Sequence, residues 1–327
     1  MLPRPLLIAS FLLPCAAWLM PAFGQPTAQP YPTQPIRMIV AYPAGGGADA
    51  LIRVLSPKLS EQLGQLVVVD NRPGGNTAIG THLAATSKPD GYTFLVADTA
   101  FIINPFLMPK LPYDNLRDFT PVALLTASHT VLVVHPTVPV KTVNELVALA
   151  RSRPGQLNYA SGGNGNTTHL LGELLNSVAK IRIVHIPYKG SGPAISDLIA
   201  GHVTIAFNGI FAVKGLVESG RLRAIAIAGP TRKPAMPQVP TFVEAGWPMI
   251  NAPAYRGIVA PTGTPRDIIM RINAESIKCM QIPEVRKRLI DLGYDPIGDS
   301  PEEYDRVIRF EMEKWGKLIR ETGIKLG

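Results

Sequence analysis

Three times along this 327-residue chain a short apolar run ends in a glycine-rich turn that opens directly into a helical pattern. The turns are Tyr42-Pro43-Ala44-Gly45-Gly46-Gly47-Ala48-Asp49, Ser161-Gly162-Gly163-Asn164-Gly165-Asn166-Thr167-Thr168-His169 and Tyr188-Lys189-Gly190-Ser191-Gly192-Pro193-Ala194. Alternation of strand, turn and helix constrains the fold to α/β, with mainly parallel sheets covered by helices. The first unit reads as strand 36–42, helix 48–63, strand 67–69, helix 77–86 and strand 92–97. Leu51, Leu55, Leu59 and Leu63 form an i+4 stripe on its first helix.

A second unit follows the apolar stretch Val122–Val134, which is interrupted at Ser128-His129-Thr130. Its helices are expected at 143–151, 167–179, 193–200 and 211–219, and its strands at 157–160, 183–186, 203–207 and 224–228. The proline-rich connection 229–240 leads to a return strand, 255–260, and three helices. The last, 301–322, sets Tyr304, Ile308, Met312, Trp315 and Ile319 on one stripe. Two passages between the units predict two lobes joined by two crossover strands, with a ligand cleft between them. The expected division is 25–126 with 253–327 as one lobe and 127–252 as the other.

Residues 1–24 read as an export signal. Arg4 starts it, Leu6–Met20 carries no charge, and Ala22-Phe23-Gly24 offers a small-x-small cleavage site. The competing readings are an uncleaved anchor and lipid attachment at Cys15. Residues 25–34, rich in Pro, Thr and Gln, read as a loose leader. Cleavage near Gly24 leaves Cys279 as the one cysteine, so no internal disulfide is expected. With 46% hydrophobic and 17% charged residues the chain is not disordered. Lys and Arg number 32 against 24 Asp and Glu, an excess scattered along the sequence. That suits small anions better than nucleic acid, which calls for a basic stripe with interleaved aromatics.

Glycines let a ligand approach the backbone of these turns, and a helix start presents free N–H groups at its positive end. A carboxylate or phosphate matches that chemistry. The first turn lacks the last glycine of a dinucleotide fingerprint and the Lys-Ser/Thr of a P-loop. Asp49 reads either as a ligand contact or as a brace for nearby amides, and Lys189 as a cleft cation or a surface charge. His169 reads as a structural hydrogen-bonding group. Asp98-Thr99-Ala100 and Asn208 lie at further strand exits. No G-x-S-x-G, H-E-x-x-H or C-x-x-C motif occurs.

The residues also resemble a known family. Besides the first turn, the likeness rests on Val69-Asp70-Asn71-Arg72-Pro73-Gly74, Lys88-Pro89-Asp90-Gly91-Tyr92-Thr93, Asn104-Pro105 and Leu111-Pro112-Tyr113-Asp114. It continues through Leu157-Asn158-Tyr159-Ala160-Ser161, His185-Ile186-Pro187-Tyr188-Lys189-Gly190-Ser191 and Ala260-Pro261-Thr262-Gly263-Thr264-Pro265. These residues resemble the Bug/TctC family, extracytoplasmic solute receptors of tripartite tricarboxylate transport systems. The resemblance implies a type 2 periplasmic-binding-protein-like fold. It also implies a periplasmic, monomeric protein, no enzymatic activity, no cofactor and no metal.

Its expected ligand is a di- or tricarboxylate, an aromatic acid or a related organic acid, and its expected partners are the membrane subunits of such a transporter. The implied cleft lining is Tyr42, Ala44, Gly45, Gly46, Gly47, Ala48, Asp49, Thr99, Ser161, Gly162, Asn164, Gly165, Thr167, Thr168, Lys189, Gly190, Ser191 and Asn208. Two positions depart from the family pattern. Ala48 stands where Ser or Thr is frequent, and Asn208 where Asp is common, which removes a negative charge and favours an anionic solute. The alternatives are a secreted signalling co-receptor without its own transporter, or a secreted enzyme.

Overall fold

The structure, a computed structural model, describes residues 31–324. The expected export signal and Cys15 lie outside the described residues, as does the leader up to residue 30. The chain begins with β1 (Ile36–Val40), α1 (Gly47–Leu63), β2 (Val67–Asn71), α2 (Ala78–Ala85), β3 (Thr93–Ala97), α3 (Thr99–Leu107) and β4 (Phe119–Ser128). A second sheet is built from β5 (Thr130–Val134), α4 (Val143–Ser152), β6 (Asn158–Ser161), α5 (Thr167–Ala179), β7 (Val184–Pro187), α6 (Ser191–Ala200), β8 (Ile205–Gly209), α7 (Ile210–Glu218) and β9 (Arg223–Ala228). The chain returns through β10 (Ala254–Pro261), α8 (Arg266–Gln281), α9 (Pro283–Asp291), β11 (Tyr294–Asp299) and α10 (Pro301–Thr322).

The first sheet runs β11-β4-β10-β3-β1-β2 and the second β7-β6-β8-β5-β9. Strands β1 to β3 are parallel, as are β6 to β8, matching the alternation seen in the sequence. The remaining pairings, through β10, β4, β11, β5 and β9, are antiparallel, so both sheets are mixed. A single residue, His129, separates β4 in one sheet from β5 in the other. Two elements had no counterpart in the sequence reading. The stretch after Asp98 is a helix, α3, and Tyr294–Asp299 is an edge strand despite Pro296 and Gly298.

Local causes are plain in α1 and α10. Leu51, Leu55 and Leu59 are fully buried on one face of α1, each contributing about 1.5–3 kcal/mol by leaving water. Gly64 stops α1 in the left-handed conformation, its N–H returning to the Ser60 carbonyl. Ser300 caps α10 by accepting from the Glu303 N–H, and Tyr304, Ile308, Trp315 and Ile319 bury its stripe. α10 lies against β4 and α3 and also reaches α5, so the last helix touches elements of both sheets.

Candidate functional site

Because β1, β2 and β3 are parallel, the residues after each strand emerge at one edge of the first sheet. Tyr42 follows β1, Arg72 follows β2, and Asp98 follows β3. Gly45 at φ +85° turns the first loop into the left-handed region, and Gly46 is the N-cap of α1 with no side-chain cap. Asp49 clasps this loop from within α1. Its carboxylate, only 2% exposed, accepts from the Gly45 N–H, Arg53 Nε and Asn71 Nδ2, each at 2.9 Å. Burial raises its proton affinity, but Arg53, Gly45 and Asn71 outweigh that and hold the carboxyl below its ordinary range. The bracing role of Asp49 therefore has direct partners.

Tyr42 Oη donates to Asp98 Oδ1 at 3.1 Å, and Asp98 caps α3 by accepting from the Ala100 N–H at 2.9 Å. Thr99 is buried, and its hydroxyl has no hydrogen-bond partner among the described residues. Ala44 and Gly45 are exposed, Gly46 and Gly47 half-buried, and Ala48 buried.

In the second sheet the parallel strands β6, β7 and β8 likewise bring three exits to one edge. Two of the loops there are stitched together: Tyr188 N donates to Ser161 O and Gly190 N to Gly162 O, both at 3.1 Å. A Cβ on Gly162 would lie 3.2 Å from Ser191 Oγ, so glycine is what lets these loops close on each other. Thr168 Oγ1 accepts from Gly162 N and donates to Asn166 Oδ1, while Asn166 caps α5. Ser161 Oγ donates to Gly163 O and lies 2.6 Å from His185 Nε2. His185 stacks on His169 with ring centroids 4.0 Å apart, and His169 Nδ1 accepts from Gly165 N, the structural role expected of it.

Burial, and then the neighbouring His169, lowers His185 to about 4. Lys189 is exposed and forms no ion pair among the described residues, and Gly165 is buried. Asn164, Thr167 and Ser191 complete the two loops at the starts of α5 and α6. Asn208, 2% exposed on β8 just before α7, has an amide nitrogen with no hydrogen-bond partner among the described residues.

The two edges are drawn together by β11 and the switch at His129. Tyr294 Oη donates to the Gly47 carbonyl at 2.7 Å, while a Cβ on Gly293 would lie 3.3 Å from Ile210 Cβ in α7. The start of α1 and the start of α7 thus flank the first residues of β11. Ile210 N donates to His129 O at 3.3 Å. Next to this, Asp295 receives Lys233 Nζ at 2.7 Å and lies 2.9 Å from His129 Nε2. Burial pushes the Asp295 carboxyl up, but its bonds to His129 and Lys233 prevail and hold it at about 2.

Sequence reasoning missed Arg256. It stands on β10, its Nη1 donates to Ser128 Oγ, and its guanidinium carbon is 5.6 Å from the centroid of the Tyr294 ring. A Cβ on Gly47 would be 3.1 Å from Nη2. The available signal was a lone charge in the apolar run Ala254–Pro261. What the sequence could not supply was its neighbours, Gly47, Ser128 and Tyr294, which are remote along the chain. The arrangement offers helix starts, amides and hydroxyls, with no group of three or more His, Cys, Asp or Glu fit for a metal among the described residues.

Residues 51–324 match the family described as tripartite tricarboxylate transporter family receptor. A UPF0065 protein from the tcbD-tcbE intergenic region of Pseudomonas sp. (strain P51) is 39% identical over 292 residues, covering 89% of this chain and 87% of the relative. Among solved structures, R. palustris Rpa4515 with adipate is 32% identical with a TM-score of 0.84, covering 90% of this chain and all of that one. MatC from Rhodopseudomonas palustris with bound malate is 30% identical with a TM-score of 0.80, covering 88% of this chain and 100% of that one. The two-lobed α/β architecture of such receptors is the architecture found here.

Proposed function

The chain belongs to the tripartite tricarboxylate transporter receptor family, and from that premise we propose that it captures a small organic acid between its lobes and hands it to the membrane subunits of a tripartite transporter. The family is one of solute receptors rather than enzymes. Its members are periplasmic binding proteins, and no helix among the described residues is long and apolar enough to cross a membrane. Export through the 1–24 signal and action as a monomer belong to this proposal. So does a first lobe of 25–126 with 253–327 around a second of 127–252. All strands from β5 to β9 falling in one sheet supports that division.

One observation carries the reading. Helix starts from both sheets, those of α1 and α7, flank β11, and near them sit buried polar atoms without partners among the described residues, Thr99 Oγ1 and Asn208 Nδ2. A buried donor left unpaired costs about 1–3 kcal/mol. A bound carboxylate, accepting from amides and backbone N–H groups, removes that cost. The first glycine loop with Thr99 then receives the acid from one side, and Ser161–Thr168, Lys189–Ser191 and Asn208 from the other. Adipate and malate in two relatives make dicarboxylates the first solutes to try.

A thermal-shift screen of aliphatic and aromatic acids, followed by calorimetry, tests this. An acid at 100 times its dissociation constant adds about 2.7 kcal/mol to stability. Absence of any shift across the screen, or conversion of the acid followed by NMR, overturns the proposal.

A further inference from the structure

Arg256 occupies an electrostatically unbalanced position. Its side chain is half-buried, and among the described residues its Nε is shut off from water without a hydrogen-bond partner and it forms no ion pair. Its hydrogen bond goes to the neutral Ser128 hydroxyl, its guanidinium lies over the Tyr294 ring, and a Cβ on Gly47 would come within 3.1 Å of Nη2. Gly47 opens α1, so a full positive charge lies beside the positive end of a helix. Two positive fields meeting in a half-buried place repel one another unless an anion sits between or next to them.

The carboxylate that feels Arg256 most, Asp98, is already engaged. It accepts from Tyr42 Oη and from the Ala100 N–H, and it caps α3. Burial raises its proton affinity, while Arg256, Tyr42 Oη and the Ala100 and Phe101 N–H groups pull the other way. Its oxygens are spent on those donors, and among the described residues it forms no ion pair with Arg256. Glycine at 47 fits the same picture, since any side chain there would press on Nη2.

We infer that Arg256 is a specificity-determining residue of the cleft: its guanidinium receives an acid group of the solute at the start of α1, so that the site demands negative charge there and rejects a neutral isostere. The inference rests on the receptor reading and names the group that sets its charge preference. A planar guanidinium suits a carboxylate in two-point contact, which a lysine ammonium does not reproduce. An amide in place of the acid would set NH2 against guanidinium donors and lose the ion pair.

The test pairs each diacid with its monoamide on the full chain: adipate with adipamate, and malate with its two monoamides, by calorimetry. Wild-type protein is expected to bind the diacid at least about 30-fold more tightly, as befits a charged hydrogen bond. Arg256→Gln should weaken the diacid by about that factor and bring diacid and monoamide within about 3-fold of each other. Arg256→Lys should restore part of the preference, an outcome that loss of packing alone would not produce. Equal binding of diacid and monoamide by the wild type overturns the inference without any variant, and so does a preference that survives in Arg256→Gln. In either case the receptor reading stands. If the wild type binds neither diacid, both the inference and the dicarboxylate reading fall together.

Discussion

Tyr294 Oη donates a 2.7 Å hydrogen bond to the carbonyl of Gly47, tying the first residue of β11 to the first residue of α1 across 247 positions of sequence. The tyrosine is 2% exposed and lies under the Arg256 guanidinium. Tyr294→Phe keeps the ring and removes the bond. The expected loss is about 1 kcal/mol of unfolding free energy in urea, together with weaker acid binding because the start of α1 is no longer pinned. A variant as stable as wild type with unchanged affinity would show that this bond positions nothing.

Gly46 offers a cleaner probe of backbone approach. It has φ −76°, open to any residue, and a Cβ there would meet nothing nearer than the Pro43 carbonyl at 3.5 Å. Asparagine is a preferred N-cap, and its side chain turns back onto the helix amides. Gly46→Asn should therefore leave stability within about 0.5 kcal/mol while lowering acid affinity at least about tenfold, because the residue fills the donors that a solute needs. Calorimetry against the best acid of the screen decides it, and undiminished affinity means that the solute does not use these amides.

Acid should loosen the second lobe before it affects the rest. His185, stacked between Tyr159 and His169, is lowered by burial and by His169 to about 4 from 6.5, and burial lowers His169 as well. Between those values the unfolded chain takes up a proton that the folded one refuses. Stability is then complete above about pH 6.5 and falls as the pH drops towards about 4. The carboxyl of Asp295, held at about 2, loses its contribution only at lower pH. Urea titrations at pH 7, 5.5 and 4.5 should show this decline, and His185→Gln should flatten it. A wild-type stability that is level across the range would contradict the stacked, uncharged pair.

Cys279 is fully buried on α8, and burial, aided by Glu275 and Glu61, pushes its thiol up to about 12. A protein beginning at residue 25 should react with a disulfide reagent at one site, and only after denaturation. Rapid reaction in the native state would place that thiol at the surface.

The sequence was most informative where period and punctuation agree. The leucines of α1 and the aromatic stripe of α10 announce their helices, and the glycine turns announce strand exits. It was silent where a local signal pointed the wrong way. The stretch after Asp98 carries no helical pattern that the sequence reading assigned, yet it is α3, with Pro105 inside it and its start set by Asp98. Tyr294–Asp299 carries residues typical of turns, and it is a strand because the edge beside β4 tolerates a proline. Within the candidate site, the loops could be read because their donors are contiguous. Arg256 could not, because what makes it matter is the fold bringing Gly47, Ser128 and Tyr294 around it. Lys189, legible in sequence as a lone cation beside a glycine turn, is exposed in the structure.

Strand β10 is inserted between β3 and β4. A chain made from its N-terminus must therefore hold the facing edges of those two strands unsatisfied until residue 254 arrives, while residues 130–228 already contain every partner the second sheet requires. The middle of the molecule can finish before its beginning. The late-arriving strand is also the one that carries Arg256, so the half that starts first becomes competent to recognise an anion only in the closing stage of assembly.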